Sequence, residues 1–333
     1  MNTEDRKDEI SSKIKEAESI LIISHYNPDG DAVGSCLGLY HYLKSLGKKV
    51  QVILPNHAGE NIQWLKAYDS ILIDELNTEK SKTIIQEADL LFVLDMNALK
   101  RAESLGSRVE GSSAFKIMID HHPDPSGFED FSYHDTGSCS TAQLIYRFIN
   151  WLEPDFVPSP EFAEALYTGI ITDSGNFKFS SVSPETHSVS ARLLETGIDH
   201  ELIHRKIYDS LSAKSIRIMG HALDQCLTLD LNNHSAWIAI KKEDIKRLKI
   251  ESENTEGLVN IPLKIKEVNF SVILKEYEGY TKMSFRSKDD FAVNKIASQY
   301  FNGGGHKNAA GGKLDKPLDK CIEILKEAIE TYK

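Results

Sequence analysis

Four short apolar runs punctuate the first part of the chain: Ile20-Leu21-Ile22-Ile23-Ser24, Lys49 to Leu54, Leu90-Leu91-Phe92-Val93-Leu94 and Ala114 to Ile119. Runs with no polar alternation mark strands that are covered on both faces. Helical spacing separates them. Ile10, Ile14 and Ala17 share a face within Asp8 to Ser19, and Ala32 to Leu46 is spaced the same way. Strands alternating with helices constrain the chain to the α/β class, with a mostly parallel sheet and helices flanking both faces. In such sheets ligands bind outside the carboxyl ends of the strands.

Those ends carry chemistry. His25, Asp29 and Asp31 follow the first run, Asp95 the third, and Asp120, His121 and His122 the fourth. A predicted helix over Glu161 to Ile171 delivers Asp173. Close carboxylates repel each other unless a cation lies between them. Oxygen ligands suit a hard divalent ion, and imidazoles bias the choice toward manganese or a similar metal. Each position alone has a local explanation: Pro28-Asp29-Gly30 is a turn sequence, and aspartate before a helix is a common N-cap. The set is different, because this many convergent acids and imidazoles would otherwise be uncompensated buried charge. His41, His57, His134 and His187 have no such company and read as surface or structural groups. A further helix starts near Ser140, capped by Ser138 or Ser140.

With 333 residues, 41% of them hydrophobic, the chain can build two cores. Its net charge of -11 argues against a sequence-blind grip on long duplex nucleic acid, which needs a broad basic surface. A short anionic substrate stays open, because bound metals reverse the local field. Cys36, Cys139, Cys226 and Cys321 are far apart with no Cys-x-x-Cys pair, which argues against a structural zinc site. Met1 to Glu9 is charged, unlike a signal peptide, and no apolar run approaches a membrane span. The expectation is a cytoplasmic protein with reduced thiols and no membrane partner.

After amphipathic helical patterns from Pro184 to about Cys226, the character changes. Ala236 to Ile240 reads as a strand. Val268 to Lys275 and Tyr280 to Arg286 read as strands flanking a hairpin turn at Glu276-Tyr277-Glu278-Gly279. Phe291 to Phe301 and Lys320 to Tyr332 read as helices. This predicts a smaller mixed α/β C-terminal domain over residues 227–333, a connecting helix over 213–226, and a metal-binding domain over 1–212. Gly303-Gly304-Gly305-His306 reads either as a loop after a helix end or as a backbone cradle for an anion, with His306 as an added donor.

His-x-x-x-Asp-x-Asp, a later strand-end Asp, Asp-His-His, and Asp173 within Thr-Asp-Ser-Gly-Asn together resemble the DHH phosphoesterases. The glycine-rich stretch resembles the Gly-Gly-Gly-His signature of the DHH-associated domain, so the likeness runs from about Ile20 to the end. It implies a dinuclear manganese site, with Mg2+ or Co2+ as substitutes. His25 and Asp29 would hold one ion, Asp31, His121 and Asp173 the other, and Asp95 would bridge them. His122 would sit near the scissile phosphate, with Asp120 orienting its histidine neighbours. Two such ions ready a water for in-line attack and hold the phosphate opposite it. In the DHH-associated domain, the resemblance assigns substrate contacts to Arg286, Ser284, Gly303, Gly304, Gly305 and His306.

The whole chain resembles the stand-alone bacterial members of the family, the nano-RNases. That implies hydrolysis of short RNA oligonucleotides to mononucleotides and of 3′-phosphoadenosine 5′-phosphate (pAp) to AMP. Cyclic di-AMP or linear dinucleotide phosphodiesterase activity is the alternative, and a non-catalytic nucleotide-binding module a more distant one. A relative acting on pyrophosphate is disfavoured by the Gly-Gly-Gly-His stretch. A homodimer is compatible with all of these.

Overall fold

The computed structural model describes residues 6–251 and 253–332. The chain divides into two compact units, Met1–Ser210 and Leu211–Lys333.

The first unit is built on a six-stranded sheet, every pairing of which is parallel. Its strands are β1 (Ser19–Ile23), β2 (Lys49–Leu54), β3 (Leu72–Ile73), β4 (Leu90–Leu94), β5 (Phe115–Asp120) and β6 (Phe131–His134). The helices are α1 (Lys7–Glu16), α2 (Gly30–Ser45), α3 (Thr78–Glu87), α4 (Glu103–Glu110), α5 (Thr141–Leu152), α6 (Pro160–Asp173), α7 (Pro184–Leu194) and α8 (His200–Tyr208).

The apolar runs behave as their lack of alternation predicts. Ile20 and Ile22 of β1 enter a core with residues of α1, α2, α5 and α6, while Leu21 and Ile23 enter another with residues of α3 and α4. Strand order is β3-β2-β1-β4-β5-β6. The chain therefore winds outward from β1 in one direction and returns to β1's other side with β4. Connections leave in opposite directions at that point, which opens a crevice outside the carboxyl ends of β1 and β4.

Helix α2 lies very close to α6, and glycine makes this approach available. A Cβ on Gly34 would fall 2.5 Å from the Ala165 carbonyl oxygen, and one on Gly30 would fall 2.4 Å from Thr172 Oγ1. Both helices thereby bring one end to the crevice.

The second unit contains α9 (Ala213–Gln225), β7 (Leu227–Asp230), β8 (Ser235–Ile240), α10 (Lys242–Leu248), β9 (Phe270–Tyr277), β10 (Tyr280–Ser287), α11 (Val293–Tyr300), β11 (Gly304–His306), β12 (Ala309–Leu314) and α12 (Leu318–Thr331). Its sheet runs β11-β12-β10-β9-β8-β7, antiparallel except between β8 and β9. Two details differ from the sequence reading. Tyr277 pairs with Tyr280, so the hairpin turn is only Glu278-Gly279, with Gly279 at φ +83°. Gly304 to His306 is not a loop but a strand paired to β12. Among the described residues no helix is long and apolar enough to cross a membrane.

Candidate metal centre

The loops after β1, β4 and β5 and the end of α6 bring the predicted set together. His25, Asp29 and Asp95 offer ligand atoms within 4.8 Å of one another, and so do Asp31, His121 and Asp173. Asp95 stands between the two groups. Its Oδ2 lies 3.3 Å from His25 Nε2, and its Oδ1 lies 3.6 Å from His121 Nε2 and 3.7 Å from His122 Nδ1. His121 Nε2 also lies 3.3 Å from Asp173 Oδ2 and 4.0 Å from Asp31 Oδ2. Asp120 is fully buried and stands outside both groups. It accepts from His122 Nδ1 at 2.8 Å.

Local folding explains each placement. Asp29 is the N-cap of α2, where Oδ1 accepts from the Asp31 and Ala32 N–H groups at 3.0 Å. The same Oδ1 lies 4.0 Å from His25 Nε2, so the capping role and a place in the cluster fall on one carboxylate. Asp31, in the first turn of α2, reaches the start of α5 and accepts from the Thr141 and Ala142 N–H groups at 2.6 and 2.8 Å. Ser140 caps α5 by accepting from the Gln143 N–H. Asp95 occupies the left-handed region at φ +60°, a cost that Asp tolerates better than most residues. Thr141 Oγ1 donates to Asp95 Oδ1 at 2.9 Å, and Arg101 donates to its carbonyl oxygen at 3.0 Å.

The histidines are oriented from behind. His25 Nδ1 donates to the Tyr26 carbonyl at 2.9 Å and His121 Nδ1 to the Ser138 carbonyl at 3.2 Å. A carbonyl only accepts, so the proton sits on Nδ1 and a neutral ring turns its Nε2 lone pair toward the carboxylates. His25 Nε2 is shut off from water and makes no hydrogen bond, although Asp95 is 3.3 Å away. A buried lone pair facing the buried Asp95 carboxylate, with the exposed Asp29 4.0 Å away, suits a cation.

Electrostatics agree. Burial pushes the Asp31 carboxyl well above its ordinary range, and Asp95, Asp173 and Asp29 push it further. Asp173 is pushed up to about 7 by burial and by Asp95 and Asp29. For Asp95, burial is outweighed by His25, His122 and His121, which hold it below the ordinary range. Burial pulls His25 down, but Asp95 and Asp29 outweigh it and leave it raised. His122 is likewise raised, with burial outweighed by Asp120 and Asp95. Asp31 and Asp173 hold their protons more tightly than ordinary carboxyls, and a divalent ion would take the place of those protons.

Thr141, Arg101 and the close-approach glycines were not singled out from sequence. The spacing Gly30-x3-Gly34-x3-Gly38 was the available signal. A Cβ on Gly38 would meet Leu166, so all three glycines face α6.

The remaining predicted residues belong to the second unit. Met283 and Phe285 of β10 enter its core, and the alternating Ser284 and Arg286 share the opposite face. Arg286 donates to the Phe285 carbonyl, and burial pulls its guanidinium below the ordinary value. A Cβ on Gly303 would fall 1.9 Å from the Gly311 carbonyl oxygen, and one on Gly305 (φ +141°) would fall 2.5 Å from that of Ala309. These two glycines are thus needed for strand contact, while Gly304 has open space beside it. The His306 side chain lies outside the described residues.

Both units resemble known proteins. Residues 19–170 match the DHH family, N-terminal domain, and residues 231–333 match the DHHA1 domain. The bifunctional oligoribonuclease and PAP phosphatase NrnA of Thermus thermophilus is 30% identical, over 93% of this chain and 89% of that protein. A probable protein of the same name from Streptococcus mutans is 28% identical over 91% of each chain. The crystal structure of an exopolyphosphatase-related protein from Bacteroides fragilis is 37% identical and superposes with a TM-score of 0.95, covering 99% of this chain and 97% of that one. This chain therefore belongs to the DHH family, with a DHHA1 domain after its DHH domain, and is a phosphoester hydrolase.

Proposed function

We propose that this protein hydrolyses short RNA oligonucleotides to mononucleotides, and pAp to AMP, at a dinuclear manganese centre. The geometry at Asp95 supports the reading most: one carboxylate oxygen lies 3.3 Å from His25 and the other 3.6 Å from His121. His25 and Asp29 would hold one ion, Asp31, His121 and Asp173 the second, and Asp95 both. Bound there, the ion pair would supply an acidified water and charge neutralisation at phosphorus.

The chain's own residues do the rest. The Tyr26 and Ser138 carbonyls keep the two imidazoles aimed, and Thr141 keeps Asp95 from turning away. Asp120 and Asp95 favour the charged form of His122, which suits it to neutralising charge that builds on phosphoryl oxygens. No serine or cysteine nucleophile is required. In the second unit, Ser284, Arg286 and the open backbone at Gly304 would bind the phosphate and sugar of the nucleotide. The substrate class follows the names of the Thermus and Streptococcus relatives, which span nearly the same length.

The test is release of mononucleotide from a fluorescent RNA dimer with manganese and with chelator, run beside pAp and cyclic di-AMP. Metal-dependent turnover of the dimer and pAp is expected. Cleavage of cyclic di-AMP alone would move the assignment to a cyclic-dinucleotide phosphodiesterase. No metal-dependent turnover of any of the three would refute it.

A further inference from the structure

A second group of metal-ligating side chains lies in the second unit, and the hydrolysis does not use it. His221 lies in α9, Cys226 closes that helix, and Asp244 lies in the first turn of α10. An imidazole nitrogen, a thiol sulfur and a carboxylate oxygen, one from each, stand within 4.8 Å of one another. Sequence spacing hides the group, because the strands β7 and β8 intervene between Cys226 and Asp244.

His221 Nε2 carries the argument. It is shut off from solvent, lies 3.5 Å from Asp244 Oδ1, and makes no hydrogen bond. That separation is long for a hydrogen bond but close to what a shared metal imposes. Tetrahedral zinc, with bonds of about 2.0–2.1 Å to nitrogen and oxygen, sets those two donors about 3.3–3.4 Å apart. A thiolate in the set disfavours manganese and magnesium and suits zinc. Opposing effects are present: Arg247 pairs with Asp244 Oδ1, and burial and Asp244 raise the Cys226 thiol although Lys241 and Arg247 act against that. An ion must therefore compete with Arg247 for the carboxylate.

We infer that His221, Cys226 and Asp244 bind one zinc-class divalent ion, chemically distinct from the oxygen-rich centre of the first unit. Three protein ligands leave a fourth position to water, so the site is open and reversibly filled. Soft and hard metals would then occupy different units of one chain.

Cobalt(II) is the probe, added to the full chain after chelation. A thiolate-to-cobalt charge-transfer band reports sulfur ligation, and no sulfur belongs to the ligand set of the first unit. Because the two positions of the first unit also accept cobalt, three equivalents should complete the band, zinc should bleach it, and Asp95→Asn should leave it intact. Cys226→Ser should abolish it and weaken zinc by more than about 100-fold, beyond what loss of an outer-shell partner costs. His221→Gln should weaken zinc similarly and stands in should the serine variant not fold. Arg247→Gln should tighten zinc. A missing band, a band that survives Cys226→Ser, or unchanged zinc affinity in His221→Gln would overturn the inference.

Discussion

Replacing Asp95 with asparagine removes one charge and almost no volume. Asparagine tolerates the φ of +60° at this position and still accepts from the Thr141 hydroxyl, so the strand end should keep its shape. Without metal, two effects oppose each other. His25, His121 and His122 lose an anionic neighbour, while Asp31 and Asp173 lose a carboxylate that repels them. The chelated variant should therefore melt within a few degrees of the chelated parent.

With metal the two proteins should part. An ion at 100 times its Kd stabilises the folded state by about 2.7 kcal/mol. A unit of this size shifts by roughly 2–4 °C per kcal/mol, so each ion raises the parent's Tm by about 5–11 °C. Asp95 touches both ligand groups, so the variant should show less than half of the combined shift. Its turnover of an RNA dimer should fall by more than about 100-fold, since a ligand shared by two ions matters more than an outer-shell group. Differential scanning fluorimetry with manganese and with chelator reads the first quantity, and mononucleotide release reads the second. A variant with the full metal shift and turnover within about tenfold of the parent would refute the bridging role.

Three further outcomes follow from the same geometry. Thr141→Val should cost about 1 kcal/mol by urea denaturation and lower turnover by roughly 10–100-fold, because Asp95 loses its hydroxyl donor; unchanged turnover would contradict this. Gly34→Ala should destabilise by about 1–3 kcal/mol, since the added Cβ meets the Ala165 carbonyl at 2.5 Å; a neutral melt would show that α2 and α6 can separate freely. In chelator, stability should fall as pH rises from about 4 to above 7. Asp173 is raised from its usual 3.8 to about 7, so its ionisation disfavours the fold across that window, and the raised His25 and His122 lose their stabilising charge at its upper end. Manganese should flatten that dependence, and a melt that rises with pH in chelator would contradict the assignment.

The sequence made the strand ends legible because burial on both faces leaves an unbroken apolar run, as at Leu90–Leu94. It also showed Asp29 in two roles, as cap and as cluster member, and the structure assigns both to one carboxylate. What it concealed depends on packing between distant segments. Thr141 meets Asp95 only because α5 begins against the carboxyl end of β4, and no local pattern encodes that distance. The two-residue β3 and the short β6 lack enough periodicity to stand out. Gly303 to Gly305 read as either a loop or an anion cradle, and the strand pairing was missed because glycine is favoured both in loops and where two backbones nearly touch. His221, Cys226 and Asp244 went unnoticed because a metal site is read from spacing, and theirs spans two strands.

Anomalous scattering from a crystal soaked in manganese tests the account at its centre. Two peaks are expected about 3.5–4 Å apart, one against His25 and Asp29, one against Asp31, His121 and Asp173, with Asp95 contacting both. A single peak that Asp95 does not touch, or no peak among these residues at saturating metal, would contradict it.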